Sequence, residues 1–158
     1  MRCAKASGVP GGPSSRDPWG ELPLVVDTSA WSRAVHAEVR GRWTEAMLAD
    51  RLRLSPVVRL EILLAARSGD GFDSLAEALS AVRPAPLTRA VLRTAEDAMR
   101  TLARRSAGAQ RIPLVDYMVA AAAQEIGAAV LHYDRDYDTL AEVMEFESVW
   151  LAEAGSLA

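Results

Sequence analysis

The sequence is short of the residues that build several common kinds of functional site. Its 158 residues include one cysteine, Cys3, and one lysine, Lys5. A single cysteine excludes an intramolecular disulfide and a cysteine-based metal cluster, and it favours a reducing cytoplasm as the compartment. The only histidines are His36 and His132. A zinc site, which normally uses histidine or cysteine ligands, is therefore disfavoured as well.

Long apolar runs and a strong charge of one sign are also lacking. No run approaches the roughly 20 apolar residues that span a bilayer, so we expect no membrane segment. The net charge of −3 gives no general positive field for nucleic acid, and contact with a polyanion would need a local basic patch. The start of the chain is rich in glycine, proline and serine. We predict that residues 1–20 form a disordered extension and that residues 21–158 form one folded domain.

What the sequence does contain is an alternation of short apolar segments with helical patterns. Strands are predicted over residues 22–26, 52–54, 85–87, 128–133 and 148–151. The main helices are predicted over residues 56–66, 73–82, 88–107 and 114–126. Between the first two of these helices, the segment "RSGDG" is interpreted as a break. Strands separated by helices indicate an α/β domain with a small, mainly parallel central sheet.

Two acidic residues lie at the ends of predicted strands. Asp27 ends the apolar run in "LVVDTSA", and Asp134 follows the strand in "AAVLHYDRDYD", with Asp136 close behind. In open parallel sheets, ligands bind just outside the carboxyl ends of the strands. Each acid alone has a simpler explanation, because aspartate is a common helix N-cap and turn residue.

Two further acids lie on helix faces that should be buried. Glu61 lies in "SPVVRLEILLAA" and Asp116 in "RIPLVDYMVAAAAQ", and both have apolar residues one helical turn away. A buried carboxylate is costly unless it is paired, hydrogen-bonded or bound to a metal. Glu61 could instead pair with Arg33 or Arg93, and Asp116 could stabilise the first turn of its helix through the helix dipole.

Together the four acids indicate a site for a hard cation. Carboxylates crowded at one edge of a sheet repel and raise one another's pKa, and a divalent cation relieves the repulsion. Oxygen ligands suit Mg²⁺ or Mn²⁺. The chemistry that best matches such a site is metal-assisted hydrolysis of a phosphodiester. We therefore predict a catalytic, metal-binding quartet formed by Asp27, Glu61, Asp116 and Asp134.

These motifs resemble those of PIN-domain ribonucleases, and more narrowly the VapC-type toxins of bacterial toxin–antitoxin pairs. The matching segments, "VVDTSA", "SPVVRLEIL" and "IPLVDYMVAAAAQEIGAAVLHYDRDYDTLAEV", belong to a resemblance that covers roughly residues 22–151. It implies a three-layer α/β/α domain and an Mg²⁺- or Mn²⁺-dependent endoribonuclease in a bacterial cytoplasm. It also implies a cognate antitoxin whose tail covers the acidic site, and a homodimer.

The resemblance assigns the metal-binding quartet to the same four acids and adds roles for their neighbours. It implies that the hydroxyl of Ser29 holds Asp27 in place. It makes Asp136 a further candidate metal ligand and Tyr137 a packing residue. Asp138 is interpreted as a surface or cap residue.

Three arginines are candidate contacts for RNA phosphates. Arg33 follows Asp27 on the next helix, and Arg104 and Arg105 belong to a basic cluster near the end of a long helix. Phosphate contacts carry much of the affinity of proteins for nucleic acids. The alternative for the cluster is a solvated helix end whose cations suit the helix dipole.

Other functions fit the sequence less well. A phosphotransferase with Asp27 as nucleophile would need a second nearby acid and a lysine, but Ser29 lies two residues on and Lys5 is the only lysine. A dinucleotide site would need a glycine loop after the first strand. A catalytically silent PIN-like module that binds RNA or protein is the remaining alternative, although it would have no need for four crowded acids.

Overall fold

The computed structural model of the chain describes residues 17–157, and within them lie five strands and seven helices. The strands are β1 (Leu24–Val26), β2 (Leu52–Leu54), β3 (Arg83–Pro84), β4 (Ala129–His132) and β5 (Glu147–Trp150). The helices are α1 (Thr28–Trp31), α2 (Ala37–Leu48), α3 (Pro56–Leu64), α4 (Gly69–Leu79), α5 (Arg89–Arg105), α6 (Leu114–Ile126) and α7 (Asp136–Ala141). None of these helices combines the length and apolar character needed to cross a membrane.

The strands form one parallel sheet in the order β3-β2-β1-β4-β5. In the centre of the sheet, Val26 is in register with Leu54 on one side and with Leu131 on the other. The chain moves outward from β1 to β2 and β3 and then returns to β4 on the other side of β1. The carboxyl ends of β1 and β4 are therefore the topological switch point, where open α/β sheets bind their ligands.

The helices cover both faces of the sheet. Parallel strands are joined by right-handed crossovers, which place α1 to α4 on one face and α5 to α7 on the other. The central strands are accordingly buried from both sides: every residue of β1 and β4 is buried. On α6, a run of four buried alanines, 120–123, allows the helix to lie close to the sheet. The α/β class predicted from the sequence is confirmed.

Two elements differ in position from the sequence prediction. Helix α4 begins at Gly69, because the hydroxyl of Ser68 accepts a hydrogen bond from the Gly71 N–H and caps the helix. The predicted break between α3 and α4 is present, since Arg67 and Ser68 lie outside both helices, but it is shorter than predicted because Gly69, Asp70 and Gly71 form the first turn of α4. Strand β3 lies at Arg83–Pro84, just before the predicted 85–87, and proline is tolerated there because β3 is an edge strand.

The folded region starts earlier than the sequence suggests. Residues 1–16 of the predicted extension lie outside the described residues, but Trp19 packs in the core at 1% exposure. Its indole N–H donates to the carbonyl of Leu151, 3.2 Å away. The guanidinium of Arg51 bonds Asp17 and the carbonyls of Trp19 and Gly20. Residues 17–20 therefore belong to the folded unit, since aromatic burial and these bonds offset the entropy of ordering them.

Candidate metal centre

The acids singled out in the sequence converge on the carboxyl edge of the sheet. Asp27 follows β1 directly, and Asp134 lies just beyond β4. Asp116 is in the first turn of α6, and Glu61 lies on α3. Helix α3 begins at this edge because it follows the carboxyl end of β2. The start of α6 lies at the same edge, because one hydroxyl, that of Tyr137, is within 3.5 Å of both Asp116 and Asp27.

Asp27 is buried and is held at one carboxylate oxygen by Ser29. The backbone N–H and the hydroxyl of Ser29 both donate to Oδ2 of Asp27. The same hydroxyl accepts a hydrogen bond from the backbone N–H of Tyr133, 2.9 Å away, which ties α1 to the end of β4. Asp27 is also the N-cap of α1, so the capping explanation and the site explanation apply to the same residue.

The other oxygen of Asp27 is held by Tyr137. The hydroxyl of Tyr137 donates to Oδ1 of Asp27 at 2.8 Å and lies 3.5 Å from Oδ1 of Asp116. Burial and the charges of these two acids raise the pKa of Tyr137 well above its ordinary value, so the phenol keeps its proton at neutral pH. The sequence interpretation of Tyr137 as a packing residue missed this bond. The available signal was a tyrosine at a buried position, whose hydroxyl needs a partner.

A tight cluster of possible metal ligands consists of Asp116, Asp134 and Asp136. One carboxylate oxygen from each of them lies within 4.8 Å of the others. The carboxylate of Asp134 also accepts a hydrogen bond from the backbone N–H of Asp136, at 3.0 Å. Burial and the charge of Asp134 raise the pKa of Asp136. This spacing suits oxygen ligands around one divalent cation.

Asp116 is the most perturbed acid of the cluster. Burial, followed by the charges of Asp27, Asp134, Asp136 and Glu61, raises its pKa to about 8. Its Oδ2 atom is buried and has no hydrogen-bond partner in the described part of the chain. An orphaned carboxylate oxygen beside two other acids is the arrangement that a divalent cation completes. The residues at this edge therefore fit a divalent cation that takes oxygen ligands.

Glu61 stands apart from that tight cluster. Its carboxylate is half-buried and accepts a hydrogen bond from the hydroxyl of Thr28. The suggested pairing of Glu61 with Arg33 or Arg93 is absent from residues 17–157, where the ion pairs involve other acids. The charge of Glu61 nevertheless contributes to the raised pKa of Asp116. Thr28 thus orients Glu61 as Ser29 orients Asp27.

A buried histidine supports the backbone of Asp134. Nδ1 of His132 accepts the Asp134 N–H at 3.2 Å, so Nε2 carries the ring proton and donates to the hydroxyl of Ser148 at 2.7 Å. That hydroxyl donates in turn to Asp138, which also accepts from the indole N–H of Trp150. Burial lowers the pKa of His132, against the effect of the nearby acids, and keeps the ring neutral. Asp138 therefore anchors β5 and is more than the surface or cap residue suggested by the sequence.

The three candidate arginines differ in their surroundings. The guanidinium of Arg33 lies 4.8 Å from the centre of the Tyr133 ring and donates to the carbonyl of Ser29. Arg105 forms an ion pair with Glu142 at 2.8 Å, and Arg104 is exposed in the last turn of α5. Of the three, only Arg33 contacts residues that adjoin the acidic edge.

The fold and this edge define the class: a parallel α/β protein with a carboxylate cluster at its topological switch point. The sequence profile of the PIN domain matches residues 24–143, and the chain belongs to the PIN-domain family. The chain is 36% identical over 137 residues to ribonuclease VapC18 of Mycobacterium tuberculosis (strain ATCC 25618 / H37Rv). The aligned region covers 86% of this chain and 100% of that protein. Ribonuclease VapC51 of the same organism is 33% identical over 136 residues, with 86% of this chain and 98% of that protein covered.

Solved structures are similar in fold. DNA-bound VapBC from Salmonella typhimurium superposes with a TM-score of 0.67 at 15% identity, covering 84% of this chain and all of the matched one. VapBC-5 from Mycobacterium tuberculosis superposes with a TM-score of 0.59 at 22% identity, covering 81% and 98% respectively. The resemblance to PIN domains seen in the sequence is confirmed by these comparisons.

Proposed function

We propose that this protein is a metal-dependent endoribonuclease that acts as the toxin of a toxin–antitoxin pair. The observation that carries the proposal is the buried, unpartnered oxygen of Asp116 within a cluster that also contains Asp134 and Asp136. Two relatives that match most of the chain are named ribonucleases, which supports RNA as the substrate. The expected substrate is an RNA phosphodiester, cut internally.

The cation that fits the site is Mg²⁺ or Mn²⁺, held by the acids at the sheet edge. Asp116, Asp134 and Asp136 would hold it through the tight cluster, with Asp27 and Glu61 as the remaining members of the acidic set. When bound, the ion would stabilise the negative charge that develops on the phosphodiester during hydrolysis.

The hydroxyl residues keep the acids in the orientation the ion needs. Ser29 holds Asp27 and Thr28 holds Glu61, so neither carboxylate has to reorganise when the ion or the RNA arrives. For the RNA itself we propose Arg33 as the main phosphate contact, with smaller contributions from Arg104 and Arg105.

An inactive RNA- or protein-binding module is the competing proposal, and metal-dependent cleavage separates the two. We expect the wild-type chain to cut RNA with Mg²⁺ or Mn²⁺ and to stop when EDTA is added. Asp116→Asn and Asp134→Asn should each lose at least about 100-fold in cleavage rate, because even residues that only support metal ligands cost 10–100-fold. Circular dichroism should show that both variants remain folded.

The matched control is Asp73→Asn, which removes an exposed carboxylate on α4. This variant should cleave RNA as the wild type does. Equal cleavage by wild type, Asp116→Asn and Asp134→Asn, or full activity in EDTA, would contradict the proposed nuclease.

We further propose a cognate antitoxin that covers the acidic edge. Two structures with the same fold are VapBC complexes of a toxin–antitoxin type, which supports such a partner. Expression of the chain should arrest growth, and co-expression of the product of a neighbouring gene should relieve the arrest and inhibit RNA cleavage in vitro. Growth arrest by the Asp116→Asn variant would show that toxicity does not depend on cleavage.

We also propose that the protein forms a homodimer. Helix α3 exposes Leu60 and Leu64, one turn apart, at 63% and 84% exposure. Apolar side chains this open to water are a common sign of an interaction surface when they occur together. Because the resemblance to PIN-domain toxins implies a homodimer, a second copy of the chain is the partner we propose for this face of α3.

A further inference from the structure

We infer that Tyr137 is a positioning residue of the metal centre, whose hydroxyl sets the spacing between Asp27 and Asp116. The inference rests on the proposed metal-dependent function and concerns how the acidic residues are positioned for the ion. The two acids come from distant parts of the chain, one at the end of β1 and the other on α6.

The position of the Tyr137 hydroxyl is determined by the fold. The residue lies in the first turn of α7 and has 0% exposure. Its ring lies 4.9 Å from the ring of His132, which is itself bonded on both nitrogens. A side chain packed in this way has little freedom, so its hydroxyl is delivered to one place.

That place lies between two carboxylates. The hydroxyl donates to Oδ1 of Asp27 at 2.8 Å and stands 3.5 Å from Oδ1 of Asp116. Because Ser29 bonds the other oxygen of Asp27, the carboxylate is held at both of its oxygens and is prevented from rotating. The hydroxyl occupies the space between the two Oδ1 atoms, so the position of Asp27 relative to Asp116 depends on it.

The hydroxyl contributes nothing to apolar packing at this position. A phenylalanine would fill the same volume without burying a polar group. The phenol is therefore accounted for by its bond to Asp27, in the way that residues behind metal ligands fix the orientation of those ligands.

The test compares Tyr137→Phe with a matched control, Tyr117→Phe. Tyr117 is equally buried, but its hydroxyl donates to the backbone carbonyl of Gln110 at 3.1 Å. Mn²⁺ affinity is measured by calorimetry without RNA, and kcat and KM are measured with RNA at saturating Mn²⁺. We expect Tyr137→Phe to bind Mn²⁺ about 10–100-fold more weakly. Its kcat should fall while KM for RNA is unchanged, and Tyr117→Phe should match the wild type in all three quantities.

Wild-type Mn²⁺ affinity and wild-type kcat in Tyr137→Phe would overturn the inference while leaving the nuclease proposal intact. A wild-type chain that binds no Mn²⁺ would instead overturn the proposed function.

A second measurement does not depend on metal. Melting temperatures in EDTA are compared for wild type, Tyr137→Phe, Asp27→Ala and the double variant. If the hydroxyl acts on Asp27, Tyr137→Phe should lower the melting temperature less in the Asp27→Ala background than in the wild type. Equal losses in both backgrounds would show a merely structural tyrosine and would contradict the inference.

Discussion

At the scale of single residues, Asp116 shows how an acid's surroundings decide its chemistry. Its position in the first turn of a helix would favour the charged form through the helix dipole. Burial and four neighbouring acids have the opposite effect and dominate, so that the pKa rises to about 8. In the absence of a cation, Asp116 therefore holds a proton at neutral pH, and an arriving ion would displace it.

The raised pKa predicts how stability depends on pH without metal. Between its ordinary pKa of 3.8 and about 8, Asp116 keeps a proton in the folded protein that the unfolded chain has released. Its contribution to stability is complete below about pH 4 and is lost as the pH rises through about 8. Melting temperatures in EDTA should therefore fall over this range, and Asp116→Asn should flatten the fall and be more stable than wild type at pH 8. An unchanged slope in the variant would contradict this account.

Arg33 is the arginine for which a specific effect on RNA binding is expected. Its guanidinium is held over the Tyr133 ring, beside Ser29. We expect Arg33→Ala to raise KM for RNA, with a smaller change in kcat, and to reduce the slope of log KM against log salt by about 0.7 for one lost phosphate contact. Arg89→Ala is the control, because Arg89 lies far from the acids. It is the first residue of α5, next to Thr88, which bonds Glu125. Glu125 lies near the C-terminal end of α6, whereas Asp116 lies in the first turn of that helix. Equal effects of both substitutions would indicate general electrostatics only.

At the scale of elements, α6 connects the site to the far edge of the sheet. The helix starts at Leu114, next to the acids, and ends where Gly127 adopts a left-handed conformation with φ of 63°. The Gly127 N–H bonds the carbonyl of Gln124, and the N–H of Ala128 bonds that of Ala123. This cap turns the chain directly into β4 and so determines where Asp134 lies.

Gly127 at the cap and Gly41 inside α2 should respond oppositely to replacement by alanine, one losing and the other gaining stability. Gly127→Ala should destabilise the protein by about 1–2 kcal/mol, because an alanine is strained at positive φ even though there is space around it. Gly41→Ala, inside α2 with open space around it, should stabilise by about 0.5–1 kcal/mol. Chemical denaturation measures both. Neither change should alter Mn²⁺ affinity, and equal signs for the two would contradict the argument.

At the scale of the whole molecule, the segment before β1 closes the fold. Trp19 fills the core and bonds Leu151, the residue that follows β5. Arg51, just before β2, bonds three carbonyls of the same segment, at Trp19, Gly20 and Leu22. The segment thus links residues on both sides of the central strand, and the domain includes it.

The packing of the segment before β1 predicts that Trp19, although it lies outside every strand and helix, contributes strongly to the stability of the fold. Trp19→Ala should cost about 3–5 kcal/mol of the free energy of unfolding, as for other buried tryptophans. Leu22→Ala, at a position with 40% exposure, should cost much less and serves as the control. Denaturant titration of both variants checks this. A small loss for Trp19→Ala would place the start of the folded region after residue 20.

The proposed dimer is tested at the same scale. Light scattering should give the wild type twice the mass of one chain, and Leu60→Ser combined with Leu64→Ser should give the mass of one chain with an unchanged far-ultraviolet spectrum. The two leucines are exposed in the single chain, so replacing them with serine should weaken dimer contacts without disturbing the core. A monomeric wild type would refute the dimer, and a dimeric variant would refute this face.

Much of the fold was available from the sequence, because local patterns specify strands, helix starts and helix ends. The apolar run before Asp27, Pro56 as the first residue of α3, and Gly127 just after α6 all lie where the local sequence indicates. Parallel strands then bring their carboxyl ends to one edge whatever the details of packing. The acids at that edge were therefore recognisable as candidates, and their assignment as metal ligands stays a prediction.

Only the tertiary structure decided which side chains touch. Tyr137 and Asp27 are 110 positions apart, and His132 and Ser148 are 16 positions apart on neighbouring strands. No periodicity encodes such pairs, because they depend on how separate elements are oriented when they pack. The same holds for Trp19, whose burial depends on the end of β5, and for Glu61, which bonds Thr28 rather than an arginine. Local sequence thus determined the elements and the location of the site, while long-range packing determined the geometry within it.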